Sequence, residues 1–415
     1  MKRYCYKNWE IRSYDDAFRC EEDQSRPENQ VILYRSDVSE SALLSYLPES
    51  LFSQGKFMTM ETLYGENLGE ESKLALNLSW FERKYNTTSA DEILAFLNNR
   101  HQSNRQKKRV TLLGLGDVGS TLAIGLKLLG GETLKSIGIF DISENQKKRW
   151  AMELNQITVN PDLVVEAIEV DDLFCGDMFV FCASKMVPKV GGETQDVRMV
   201  QFEENAKLIA LYAKMARESK FEGIFAVVSD PVDLLAKKVF VASNTDEQGE
   251  LDYLGLLPEQ VVGFGLGVMD GRAKYYSDLM GLAYRQNGRV FGPHGKDLVV
   301  SDNIDEPKQE NALLLTKRVV EANLEVRALG FKPYIAPAIS SGANAIINYL
   351  ANKPLYCANY VNGVFWGSMS QVMPYGAVEI ERFIAHQALL TRLMGAYHNL
   401  RSEEHTSELQ SRQVI

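Results

Sequence analysis

Three glycines, Gly114, Gly116 and Gly119, enclose Asp117 and Val118 in the run TLLGLGDVGST, and an acid follows at Asp141. The chemistry of that pattern is anion binding. The first glycine permits a tight turn, the second lets the backbone approach a pyrophosphate, and the third lets a helix pack closely on a strand. Unpaired N–H groups at the helix start then face the phosphates. Asp141 ends an apolar run and is placed to accept a hydrogen bond from a ribose hydroxyl. A carboxylate there repels a 2′-phosphate, so NAD is the expected cofactor rather than NADP. The plainer alternative is a glycine turn that only packs the fold.

Hydride transfer at a hydroxy acid needs a base for the hydroxyl proton and cations for the carboxylate and the forming carbonyl. Histidine suits the base because its charge changes near neutrality. Of the five histidines, His101 lies in a polar linker, His405 in the tail, and His386 and His398 on the last helical stretch. His294, between Pro293 and Gly295 in VFGPHGKDL, is the one placed in a turn as a catalytic base would be. A structural turn histidine is the competing reading.

These groups need elements to hold them. The short apolar run Val110 to Leu113 reads as a buried strand, and Ser120 to Leu129 has helical spacing. Apolar strands recur at Ile137 to Phe140, Met178 to Cys182 and Ile224 to Val228, with a helix over Glu203 to Ala216. Strand alternating with helix predicts an α/β fold, a Rossmann doubly wound parallel sheet. Long helical stretches at 309–328 and 377–399 predict an α+β catalytic domain after it. Residues 1–108 read as a small α/β extension and linker. Within it, a strand is expected at Gln30 to Tyr34 and helices at Glu71 to Tyr85 and Ala90 to Asn99. The domain limits are therefore 1–108, 109–250 and 251–400. Residues 401–415, RSEEHTSELQSRQVI, are set apart as an artefactual or disordered tail.

A net charge of −10 without a basic stripe excludes nucleic acid as an expected partner. Five cysteines lack paired or metal-ligand spacing, so no metal is expected, and a reducing compartment fits. The N-terminus has no apolar signal segment and no long apolar span occurs, so a cytoplasmic chain without membrane contact is expected.

From Arg109 to about Leu400 the chain resembles the lactate/malate dehydrogenase family. The resemblance is carried by the glycine turn, by FCASKMVPKVGGETQDVR as the mobile substrate loop, and by Arg198, seven residues before Asn205. Ser229-Asp230-Pro231-Val232-Asp233 is similar to the family's Asn-Pro-Val-Asp strand end, and Gly292-Pro293-His294-Gly295 to its Gly-Glu-His-Gly turn. The resemblance implies an NAD-dependent 2-hydroxy acid dehydrogenase assembled as a dimer or tetramer. It implies His294 as base and Arg198 as the group that polarises the carbonyl. Arg272, in VVGFGLGVMDGRAKYY, is implied as the bidentate clamp on the substrate carboxylate. Lys189 follows Val187-Pro188 where malate enzymes carry an arginine, and Lys332 stands where lactate enzymes place a small hydroxyl residue. Two such cations suit a dicarboxylate such as malate.

Three departures matter. Met269 falls where the family has the aspartate that orients the histidine, with Asp270 one residue late, about 100° round a helix. A bulge in the segment Gly263 to Gly267 is the expected way for Asp270 to reach His294. Asp230 replaces an asparagine that in the family lies near nicotinamide and substrate. The substrate loop is longer than usual. Two other classes therefore stay open: a cofactor-binding member without turnover, and an NAD-dependent glycosidase using Cys182 and His294 as metal ligands.

Overall fold

A computed structural model describes residues 106–184, 197–252, 254–361, 363–372 and 378–412. Nearer the N-terminus it describes 2–13, 20–24, 26, 29–33, 44–45, 60–65, 79–81 and 91. There β1 (Lys2–Tyr6) and β2 (Trp9–Ser13) form a hairpin. β3 (Asn29–Leu33), β4 (Leu44–Ser45) and β5 (Ser79–Phe81) complete a five-stranded sheet in the order β1-β2-β3-β5-β4. The strand expected at residue 30 is β3. The helix expected over 71–85 is contradicted at Ser79–Phe81, where pairing with β3 holds the backbone extended. The helix expected over 90–99 lies outside the described residues except for Asp91.

The dinucleotide half follows from its apolar runs. β6 (Lys108–Leu113), β7 (Leu134–Phe140), β8 (Val164–Ala167), β9 (Met178–Phe181), β10 (Ile224–Val227) and β11 (Val261–Gly263) are parallel. Their order is β8-β7-β6-β9-β10-β11. Strands covered on both faces read as continuous apolar stretches, as MFVF and IFAV do. Neighbours in β9 face opposite layers: Phe179 and Phe181 join one buried cluster, Met178 and Val180 the other. The helices Asp117–Leu129, Glu144–Asn155, Val197–Glu218 and Val232–Ser243 cross between strands. The order reverses between β6 and β9, which opens a crevice beyond their carboxyl ends.

The second half adds the two-stranded ribbon β12 (Arg289–Phe291) and β13 (Val299–Ser301). The antiparallel strands β14 (Leu355–Val361), β15 (Val364–Val372) and β16 (Val378–Ile380) extend the main sheet past β11 to nine strands. Helices Leu266–Met280 and Gln309–Ala328 pack together over the ribbon. The helix expected at 377–399 begins only at Gln387, because Val378–Ile380 pairs with β15. Its backbone then stays helical to Arg412, through most of the stretch set apart as a tail. The fold is α/β, a doubly wound parallel sheet followed by an α+β part.

Candidate dehydrogenase site

The glycine turn is built by contacts that only glycine permits. Gly114 has φ +95°, and a Cβ there would meet Ala183 N at 2.8 Å. A Cβ on Gly119 would meet the Gly114 carbonyl oxygen at 1.9 Å, so helix and strand touch through bare backbone. A Cβ on Gly116 meets nothing within 4 Å. Gly116 is the N-cap of the helix Asp117–Leu129 and, lacking a side chain, does not itself cap the first N–H groups of that helix. Asp141 accepts from the Leu115 N–H at 2.8 Å and the Ser143 N–H at 2.9 Å, which fixes its carboxylate against the turn. These features fit a dinucleotide: an open anion cradle with a positioned acid beside it.

A hydrogen-bonded path leads from this turn to the candidate reactive groups. Ala183, against Gly114, accepts from the Ser229 hydroxyl at 2.8 Å. The next residue, Asp230, has its carbonyl held by the Asn205 side chain at 3.0 Å. The Asp230 carboxylate lies 3.7 Å from His294 Nε2, with the histidine side chain buried and Asp230 half exposed. The turn that carries His294 is fixed by Asp233, whose carboxylate accepts the His294 backbone N–H at 2.8 Å. Arg272 stands close enough to feel the Asp230 charge. Burial lowers the Arg272 pKa, and the Asp230 charge opposes that shift. The Arg272 guanidinium also donates to the side-chain Oδ1 of Asn323 at 2.5 Å.

Asp270 does not join this group. The helix Leu266–Met280 runs through the segment expected to bulge from Leu266 onward, and Asp270 stays rotated away. Its carboxylate accepts from Tyr284 at 3.0 Å and pairs with Lys274 at 2.5 Å. His294 Nδ1 is buried without a hydrogen-bond partner. It lies against Gly265, where a Cβ would come within 3.0 Å of it. Met269, the residue in the family's aspartate position, is buried and contacts Arg272 through sulfur at 3.6 Å.

Lys332 reaches the other end of the site. It pairs at 2.8 Å with Asp117 at the start of the nucleotide helix, and both side chains are well exposed. An exposed pair of this kind adds little stability. Arg198 lies in the helix Val197–Glu218, with its side chain outside the described residues, and Lys189 lies wholly outside them. Cys182 packs under the glycine turn, where burial pushes its thiol pKa far up. Among the described residues no three His, Cys, Asp or Glu side chains gather as a metal site. No described helix is long and apolar enough to cross a membrane.

Residues 108–250 match the model of the lactate/malate dehydrogenase NAD binding domain. That stretch is similar to the NAD-binding domain of the lactate/malate dehydrogenase family. Its cofactor is NAD. L-lactate dehydrogenase 2 of Staphylococcus aureus strain JH9 is 31% identical over 192 residues, 45% of this chain and 54% of that relative. The same enzyme from strain Newman matches equally. The chain thus spans about half the length of the relatives it matches. Among solved structures, the minor L-lactate dehydrogenase of Enterococcus mundtii superposes with a TM-score of 0.60 at 20% identity, over 72% of this chain and 98% of that one. The malate dehydrogenase of Picrophilus torridus gives 0.60 at 18%, over 75% and 100%. At such identities these likenesses show the fold alone.

Sequence reading missed the supporting contacts of Asn205, Ser229 and Asp233 at this site. Their signal was present, since all three lie in the stretches that carry the family resemblance. Asp141→Ala should narrow the preference for NAD over NADP by about tenfold or more, the worth of a hydrogen bond to a charged group. Titration of both cofactors, read by protein fluorescence, measures the ratio. An unchanged ratio would remove Asp141 from the ribose.

Proposed function

We propose that the chain is an NAD-dependent oxidoreductase that interconverts a 2-hydroxy acid and a 2-oxo acid. The observation that carries this reading is the convergence of His294, Asp230 and Arg272 at the carboxyl end of β10, one hydrogen-bonded step from the glycine turn. NAD, when bound, supplies the hydride acceptor. His294 takes the hydroxyl proton through Nε2, the ring nitrogen nearest Asp230. Asp230 stabilises the resulting imidazolium in place of the family's missing aspartate. Arg272 holds the substrate carboxylate, and Arg198 is assigned the polarising role at the carbonyl.

The pocket also bears on substrate choice. Asp230 offsets part of the Arg272 charge, and Lys332 is engaged by Asp117, so a dicarboxylate such as malate has Lys189 as its remaining candidate cation. A second reading, an NAD-binding member without turnover, is favoured by the unpartnered Nδ1 of His294. A panel of 2-oxo monocarboxylates and dicarboxylates, assayed for loss of reduced-nicotinamide absorbance, separates the two. Consumption that His294→Asn abolishes supports the oxidoreductase, and no consumption supports the second reading. Arg272→Lys is expected to raise KM on the order of tenfold with little change in kcat. A lysine cannot grip a carboxylate bidentately, and the grip serves ground and transition states alike. Steady-state kinetics decide this, and a pure kcat effect would contradict the assignment.

A further inference from the structure

We propose that Tyr64, in the N-terminal segment, is a positioning residue for His294, so that the extension completes the candidate site of the dehydrogenase body. The catalytic consequence rests on the oxidoreductase reading, and the geometry does not. Met60–Tyr64 is one short helical turn, yet Met60, Leu63 and Tyr64 are 1%, 2% and 0% exposed. What buries them belongs to the far end of the chain. The Tyr64 ring lies 5.5 Å from that of Phe291, edge-on, and 4.9 Å from that of Phe383. The Tyr64 carbonyl accepts from the Ala385 N–H at 2.7 Å. Leu390 closes over Gly65, where a Cβ would meet its Cδ2 at 2.8 Å.

Phe291 ends β12, and His294 follows it within the same turn. Gly292 has φ +85°, donates its N–H to the Gly367 carbonyl at 2.8 Å, and would bring a Cβ to 3.4 Å from the Trp366 ring. Trp366 in turn neighbours the Tyr64 hydroxyl. Tyr64 and Trp366, both fully buried, thus form the floor of the histidine turn. Asp233 pins the turn from another side through the His294 N–H, and Gly265 backs the imidazole. A close-packed interior passes displacement on rather than absorbing it. Deleting the Tyr64 ring leaves a void under Phe291 and Gly292, and the turn can relax into it. His294 Nε2 then moves relative to Asp230.

The test uses the full chain with Tyr64→Ala and Tyr64→Phe. Three quantities are read: the His294 ring Cε1–H resonance (assigned by its loss in His294→Asn), NADH affinity, and kcat with KM. Tyr64→Ala should displace the resonance and lower kcat on the order of tenfold to a hundredfold, as small misplacements of reacting groups do. NADH affinity should stay within about twofold, because the glycine turn shares no partner with Tyr64. Tyr64→Phe keeps the ring and should restore resonance and kcat together. An unmoved resonance in Tyr64→Ala overturns the proposal, as does parallel loss of NADH binding, which would make Tyr64 a general packing element. If the wild-type chain reduces no 2-oxo acid, the oxidoreductase reading fails, while the resonance alone still decides the positioning claim.

Discussion

Asp230→Asn is expected to lower kcat about a hundredfold while leaving NADH affinity in place. The loss follows from the charge that His294 must carry once it has taken a proton. Asp230 stands 3.7 Å from Nε2, Nδ1 has no partner, and Asp270 is engaged by Tyr284 and Lys274. The Asp233 carboxylate is held on the His294 backbone N–H instead. Two unit charges about 4 Å apart attract by about 4 kcal/mol at an effective dielectric constant of about 20. Asp230 is half exposed and keeps only part of that, but about 2.7 kcal/mol already corresponds to a hundredfold in rate. Steady-state rates of the variant in both directions check the figure. The opposite result is informative, because asparagine is the residue that the family resemblance implies at this position. If Asp230→Asn raises turnover, Asp230 acts only by repelling an anionic substrate, and the pairing with His294 has no catalytic meaning.

Gly116→Ala and Gly119→Ala should separate cofactor binding from folding. At Gly116 the backbone is extended, with φ −71° and ψ −165°, and a Cβ meets no atom within 4 Å. Alanine there should fold normally yet project a methyl group into the space where a pyrophosphate would approach. At Gly119 a Cβ would lie 1.9 Å from the Gly114 carbonyl oxygen, a backbone atom that cannot step aside alone. The helix must move off the strand, and overpacking of this kind costs about 1–3 kcal/mol. Both variants are expected to bind NADH at least about a hundredfold more weakly, because the N–H groups of the turn no longer converge on an anion. Only Gly119→Ala should also melt earlier. Calorimetric titration and thermal unfolding measure the two effects, and a Gly116→Ala chain with native NADH affinity would refute the cradle.

The parts of this arrangement that sequence revealed are those whose causes are local. The glycine spacing, Asp141 and the apolar runs of β6, β9 and β10 each express a constraint within a few residues, and each is where the sequence put it. The partner of His294 is not local. Asp270 and Asp230 both belong to stretches that carry the family resemblance, and the choice between them depended on how the helix Leu266–Met280 sits. Its turn placed Asp270 beside Tyr284, a buried tyrosine that no spacing rule connects to it. Strand β5 was misread because a short aromatic run suits helix or strand, and pairing with β3 decided it. Tyr64 gave no signal beyond an apolar cluster, since its neighbours Phe291 and Phe383 come from the far half of the chain.

The most direct measurement follows the hydride itself. The full chain is incubated with 2-oxo acids and NADH carrying deuterium at the transferable position, and the products are analysed by mass spectrometry. The oxidoreductase account predicts a 2-hydroxy acid with one deuterium bound at C2, formed by the wild-type chain and lost in His294→Asn. Absence of any 2-hydroxy acid, or a product without deuterium at C2, would contradict it.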